Sequence, residues 1–268
     1  MSTAVSPTAE GHEALPSGLP KTFARLRPFA QWLSGGGGPA LMYHKLGPRP
    51  LGVRLKGLYV NTRLFRQQLE DLQQAGFGSV FPETLIEADT PGVRRIALTF
   101  DDGFENVLRQ GLSPLQEHGF RALQFLVPDL LGRTNEWEQR EGEVAERLMD
   151  AAQVREWLAA GHEIGAHTCT HPRLTQIPRS AAREEIRTSK FKLEDLFGRP
   201  IRHFCYPYGD WNPAVRDMVV DAGFLTACTT ESGLNRRGGD PFRLRRIMAR
   251  YASRNWKSIG VALRRLWR

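Results

Sequence analysis

The sequence predicts one α/β domain built on parallel strands, and three observations carry that expectation. Short apolar stretches of strand length alternate with longer amphipathic stretches of helical period from residue 39 onwards. His44, the pair Asp101-Asp102, His167 and Tyr208-Gly209 each fall just past the end of an apolar stretch, the edge on which parallel α/β folds build their sites. At 268 residues and 41% hydrophobic content, the chain has enough apolar material for one large core.

In order, residues 40–44 read as a short buried strand. Residues 62–75 read as an amphipathic helix, with Leu64, Phe65, Leu69 and Leu72 at helical spacing. A strand at 95–100, a helix at 105–118 and a strand at 122–127 follow, the last stopped by Pro128. A charged insertion over 132–149 precedes a helix at 152–160 and a strand at 163–167. The Glu- and Lys-rich stretch 179–196, carrying Ile186 and Leu193 and stopped by Gly198 and Pro200, reads as a surface helix. A strand at 203–206, a helix at 212–222 and strands at 224–228 and 242–248 complete about seven strand–helix repeats. A barrel and a doubly wound sheet both fit that count.

Residues 1–38 read as a flexible leader ending in Gly35-Gly36-Gly37-Gly38, residues 39–255 as the folded domain, and residues 256–268 as a basic amphipathic segment. The formal net charge is +8, with Arg243, Arg245, Arg246, Arg250, Arg254, Lys257, Arg264, Arg265 and Arg268 concentrated at the end. Trp256, Ile259, Leu263, Leu266 and Trp267 among those cations suit peripheral contact with an anionic membrane. No nucleic-acid-binding motif accompanies the charge, so a nucleic-acid partner is not expected. Cys169, Cys205 and Cys228 are odd in number and far apart, which argues against a disulfide framework. The first residues hold no apolar run of signal-peptide type and no later stretch approaches a membrane span. The expected location is therefore the cytoplasm, with contact at the inner face of the membrane.

The chemistry is concentrated in Thr99-Phe100-Asp101-Asp102-Gly103 and His167-Thr168-Cys169-Thr170-His171. Two adjacent carboxylates resist joint ionisation, and a cation removes the difficulty. In extended backbone neighbouring side chains point to opposite sides, so one carboxylate can ligate a metal while the other stays free as a base. His167 and His171 are four apart, a spacing that converges on one ion from a helix or a turn, and Pro172 favours the turn. With one aspartate they make a two-histidine, one-carboxylate face that suits Zn²⁺ and also Fe²⁺. Each fragment alone is common in turns and caps, and the specificity lies in the combination at strand ends.

At these residues the chain resembles the polysaccharide deacetylases, carbohydrate esterase family four, which share the NodB homology domain. TFDDG is similar to the first family motif, His167–His171 to the H-[ST]-x-x-H motif, and Phe204-Cys205-Tyr206-Pro207-Tyr208-Gly209 to the third. Leu41-Met42-Tyr43-His44 is similar to the first strand of one branch, and the likeness extends to about Ile247. The resemblance implies a distorted (β/α)₇ barrel and a metal-dependent hydrolase that removes an N-acetyl or N-acyl group from an amino sugar. The substrate would be a polysaccharide, a glycan precursor or a lipid-linked sugar. It implies Asp101 as catalytic base, Asp102, His167 and His171 as metal ligands, and Tyr208 as the residue whose backbone N–H helps form the oxyanion hole. Zn²⁺ is the first expectation for the metal, with Fe²⁺, Co²⁺, Ni²⁺ or Mn²⁺ as alternatives.

The sequence departs from that pattern twice. Cys205 stands where the third motif usually has arginine, and Leu244-Arg245-Arg246-Ile247 stands where a late histidine usually acts as the acid. The expected substitutes are Arg246, as partner to Asp101, and His44, as the acid. Trp137 and Trp211 are candidates for stacking on a sugar ring, with packing the commoner role for aromatics at strand ends. His12, His118, His162 and His203 are assigned no chemistry. Two alternative functions stand beside the deacetylase: another metal enzyme using a two-histidine, one-carboxylate site, such as an Fe²⁺ oxygenase, and an inactive barrel serving as a carbohydrate- or membrane-binding module.

Overall fold

The computed structural model describes residues 38–87 and 93–249. The expectations for residues 1–37 and for the basic segment 256–268 lie outside the described residues. Gly38 belongs with the fold: its backbone bridges Asn235, donating to Asn235 O at 2.8 Å. Among the described residues, no helix is long and apolar enough to cross a membrane.

The strands are β1 (Ala40–Tyr43), β2 (Lys45–Leu46), β3 (Tyr59–Val60), β4 (Phe77–Ser79) and β5 (Arg94–Phe100), then β6 (Leu123–Leu126), β7 (Glu163–Ala166), β8 (His203–Cys205), β9 (Thr226–Cys228) and β10 (Ile247–Met248). Between them run α1 (Thr62–Gln74), α2 (Glu105–Glu117), the short α3 (Glu136–Gln139), α4 (Ala151–Ala159), α5 (Arg179–Phe197) and α6 (Pro213–Asp221). The main sheet has the order β10-β1-β5-β6-β7-β8-β9, with β4 alongside the start of β5, and β2 and β3 form a separate pair. β10 pairs with β1 through Leu41↔Ile247 and Met42↔Met248, and just upstream Leu244 bridges Cys228 of β9. One irregular segment thus joins the two ends of the sheet, making the distorted α/β barrel that the resemblance implies.

The strands are parallel and buried on both faces, as β1, β6, β8 and β9 show along their whole length. On β5, Ile96, Leu98 and Phe100 pack outward with Phe65, Leu69 and Leu72 of α1 and Val107 of α2. The alternate residues face inward. Ala97 lies there with Ala40 and Leu85, while Leu123, Phe125, Cys205, Cys228 and Leu244 form a second inner cluster. Gly165 keeps the interior open, since a Cβ there would meet Phe125 Cδ1 at 2.7 Å and His203 O at 2.8 Å.

The helices begin and end where their caps dictate. Asn61 accepts from Arg63 N–H, Asp150 and Gln153 form a reciprocal capping box, and Asn212 caps α6 with Pro213 in its first turn. Gly198, at φ 63°, ends α5. The strand expected over 242–248 contracts to Ile247–Met248 because Asp240 organises a turn ahead of it: its carboxylate accepts Phe242 N–H at 2.9 Å and its carbonyl accepts Arg243 N–H at 3.1 Å.

At the opposite end of the barrel from the site, His162 is buried against Trp157, ring centroids 4.2 Å apart, and its Nδ1 accepts Ala122 N–H at 3.2 Å. Burial, with help from Arg121, pushes its pKa down to about 4. The unfolded chain then binds a proton near pH 6.5 that the folded chain refuses until about pH 4, so stability falls as pH drops through that window. In urea unfolding at pH 6.5 and 4.5, wild type is expected to lose about 2 kcal/mol more than His162→Gln. Equal losses in the two proteins would remove His162 as the acid-sensitive group.

Candidate active site

Four loops leave the carboxyl ends of β1, β5, β7 and β8 and converge there. Asp101 continues the inward row of β5, Ala97-Thr99-Asp101, and therefore enters the barrel. Asp102 leaves that row by a left-handed turn at φ 75° rather than by extended alternation, and Gly103 follows at φ 78°. The sequence expectation that extended backbone would separate the two carboxylates is corrected here: the turn does it. Gly103 is required because a Cβ would also meet Leu126 Cδ2 at 3.0 Å.

Asp102 Oδ1 lies 3.3 Å from His167 Nε2 and 3.3 Å from His171 Nε2, all three residues being buried. Their donor atoms lie within 4.8 Å of one another, so the group could hold one metal ion. His167 Nδ1 is 2.7 Å from Cys205 O, which fixes it as a donating nitrogen and turns Nε2 toward Asp102. Burial would lower the imidazole pKa, but Cys205, Asp102 and Asp101 together raise it well above its ordinary value. Nε2 therefore donates to Asp102 here and must lose that proton before it can ligate a metal. Burial, the leading influence, drives the pKa of His171 down to about 4, so that it is a neutral ligand at ordinary pH. Burial would raise the Asp102 carboxyl, but hydrogen bonds from His167 and His171 hold it well below its usual range. The donor set thus fits a divalent cation: one anionic oxygen and two imidazole nitrogens, with the His167 ring oriented by the Cys205 carbonyl and the His171 ring packed on Trp137.

Asp101 is paired with a different cation. Arg246 Nη1 and Nη2 donate to Asp101 Oδ1 at 2.7 Å and Oδ2 at 2.8 Å, a bidentate pair with the arginine only 1% exposed. The same guanidinium donates to Thr99 Oγ1 at 3.0 Å, Thr229 O at 2.9 Å and Cys205 Sγ at 3.1 Å. Burial alone would raise the Asp101 carboxyl, and Arg246 overrides it to hold the group ionised. The structure therefore brings Arg246 to the side chain it was expected to partner, and Cys205 occupies the wall against it. His44 Nε2 stands 3.7 Å from Asp101 Oδ2, and burial lowers its pKa although both aspartates favour its charged form.

Tyr208 sits at φ 60° in the turn after β8, its ring 4.6 Å from that of His171 and at 65° to it. Gly209, at φ 70°, lets the turn lie against Thr230, whose Oγ1 a Cβ would meet at 2.0 Å. Asp102, Thr168, His171 and Tyr208 are the non-glycine residues with positive φ among the described residues, and all four line this site.

Several contacts were not legible in the sequence. Trp137 stacks on His171 with centroids 4.4 Å apart, and Trp211 lies 6.1 Å from Tyr206 under Arg243, so both have packing partners. The helix carrying Trp137 is seated by a buried ion pair, Lys45 Nζ to Glu138 Oε2 at 2.6 Å. A lysine between His44 and Leu46 at the end of an apolar strand was the available signal for a buried cation.

Fold and site together define an α/β-barrel hydrolase. A model of the polysaccharide deacetylase family matches residues 88–227, and the chain belongs to that family. YxkH of Bacillus subtilis (strain 168) is 22% identical over 213 residues, 78% of this chain and 70% of its own length. A chitooligosaccharide deacetylase of Bradyrhizobium sp. (strain ANU 289) is 27% identical over 137 residues, 50% of this chain and 55% of its own length. The solved structure of IcaB from Ammonifex degensii superposes with a TM-score of 0.71 at 25% identity, covering 85% of this chain and 97% of that one.

The Arg246–Asp101 pair supplies a prediction independent of activity. Arg246→Met should strand the Asp101 charge in the barrel and cost about 3–5 kcal/mol in urea unfolding. The double variant Asp101→Asn/Arg246→Met should recover at least half of that loss, and a double variant no more stable than the single would refute the pairing as the cause.

Proposed function

We propose that the chain is a metal-dependent hydrolase that removes the N-acetyl group from an amino sugar. The observation that carries this reading is the convergence of Asp102, His167 and His171 on one point beside a separate ionised carboxylate, Asp101, in a chain of the polysaccharide deacetylase family. The oxygen and two imidazole nitrogens suit Zn²⁺ first. A divalent metal held there supplies Lewis acidity, acidifying a water and polarising the amide carbonyl.

The chain's own groups do the rest. Asp101 takes the proton of the attacking water, and Arg246 holds both carboxylate oxygens so that the base neither rotates nor drifts toward the metal ligands. The Tyr208 N–H, set by its left-handed backbone, donates to the oxygen of the tetrahedral intermediate. When the C–N bond breaks, the departing amine needs a proton. His44 Nε2, 3.7 Å from Asp101 Oδ2, is placed to receive the proton from Asp101 and deliver it. The balance is one water and one amide giving acetate and a free amino sugar. The name of the Bradyrhizobium relative favours an N-acetylglucosamine oligomer as the first substrate to assay.

The two aspartates separate under substitution. Asp101→Asn should keep the metal, read by equilibrium dialysis, while acetate release from an N-acetylated chitooligosaccharide falls by about 10²–10⁴. Asp102→Asn should lose both. His44→Gln should lower acetate release by at least about 10² with metal content unchanged, and undiminished turnover across pH would remove it from the mechanism.

A further inference from the structure

The loop that carries both histidines is held in a costly shape. Thr168 is at φ 63° and His171 at φ 64°. Left-handed backbone is a genuine outlier for a β-branched residue, and such strain persists only where the surroundings over-determine it. Part of the restraint is local: His167 N–H donates to Leu126 O at 2.9 Å, and His171 N–H to Thr168 Oγ1 at 3.0 Å. Cys169 and Thr170 are held from outside, Cys169 through its carbonyl, which accepts Asp129 N–H at 3.3 Å, and both through one carboxylate on α5. Glu185 Oε2 accepts Cys169 N–H at 2.7 Å and Thr170 N–H at 3.0 Å, and Glu185 Oε1 accepts the Thr170 hydroxyl at 2.7 Å.

The helix makes that carboxylate a fixed point, because Ala182, Ile186, Ser189 and Leu193 bury its other face in the core. Beside these bonds lies an open cavity of about 510 Å³, lined by Asp129, Cys169, Thr170, Glu184, Glu185 and Lys192. Water entering from that cavity would satisfy the two N–H groups without fixing where they sit. Loss of the carboxylate therefore removes position more than it removes hydrogen bonding.

We propose that Glu185 is a positioning residue for the metal ligands: it clamps Cys169 and Thr170 so that His167 and His171 stay aimed at Asp102. The inference rests on the reading of Asp102, His167 and His171 as a metal site. Groups that orient metal ligands typically contribute 10–100-fold to affinity. The test is Zn²⁺ affinity of the full chain, by competition with a chromophoric chelator, for wild type, Glu185→Gln, Glu185→Ala, Asp102→Asn and the neighbouring control Glu184→Gln. Glu185→Gln, which keeps the volume but loses one acceptor, should weaken binding about 10-fold. Glu185→Ala should weaken it further, and Glu184→Gln should match wild type. Circular dichroism of the metal-free proteins identifies which variants are folded, and saturating Zn²⁺ should restore most of the turnover of Glu185→Gln, which a general loss of fold would not allow. Wild-type affinity in folded Glu185→Gln overturns the proposal. Wild-type affinity in Asp102→Asn overturns instead the reading of the triad as the metal site.

Discussion

A buried guanidinium organises this molecule. Arg246 stands on the irregular segment that joins β9 to β1, and its donors reach Thr99 and Asp101 at the end of β5, Cys205 at the end of β8 and Thr229 beyond β9. Those contacts come from opposite parts of the sheet, so the charge that neutralises Asp101 is also the point at which the barrel closes. Taking two ions out of water costs several kcal/mol each, and the pair is not favoured over apolar packing on energy alone. What it supplies is a fixed geometry, because a guanidinium cannot lose its proton and its planar fork accepts a carboxylate in one orientation.

That geometry makes two chemically identical neighbours unequal. Asp101 falls on the inner row of β5 and meets a permanent cation. Asp102, thrown off the row by a left-handed turn, meets two imidazoles instead. The turn costs backbone energy, as do the turns at Thr168, His171 and Tyr208. The cost is met by the rest of the fold: inner and outer rows of apolar side chains hold the strand ends rigid, and the strained residues project from those ends. Here strain is located where direction matters more than stability.

Much of this was legible in the sequence because it is local or periodic. The buried rows of β5 and the apolar face of α1 repeat at strand and helix periods, and Gly198 ends α5 where the sequence predicts a stop. The residues that converge at the candidate site were legible because polar groups at apolar strand ends stand out. Arg246 was within reach because Cys205 occupies a position where the family motif leads one to expect a cation, and the closing segment carries one. What was illegible is tertiary in origin. The insertion 132–149 has no period, and its shape comes from Lys45 on Glu138 and Trp137 on His171, contacts across long separations. Glu185 is one glutamate among several on an exposed helix, distinguished only by what it faces.

The arrangement also resolves where a cation can sit. Besides Asp102, His167 and His171, the ligand atoms of Asp101, His167 and Cys205 lie close enough to share an ion. In that second corner, however, both Asp101 oxygens and the Cys205 sulfur accept from Arg246, and His167 Nδ1 is committed to the Cys205 carbonyl. Burial pushes the Cys205 thiol up to about 11, so it offers a neutral sulfur rather than a thiolate. The guanidinium is therefore the cation of the inner corner, and its charge repels a second one. Of the two candidate groups, the outer one, where Asp102 and the two Nε2 atoms converge, is the one with no guanidinium in it. The cysteine that breaks the family motif is thus coherent with the arginine on the closing segment: a small side chain at 205 leaves room for a guanidinium delivered from position 246.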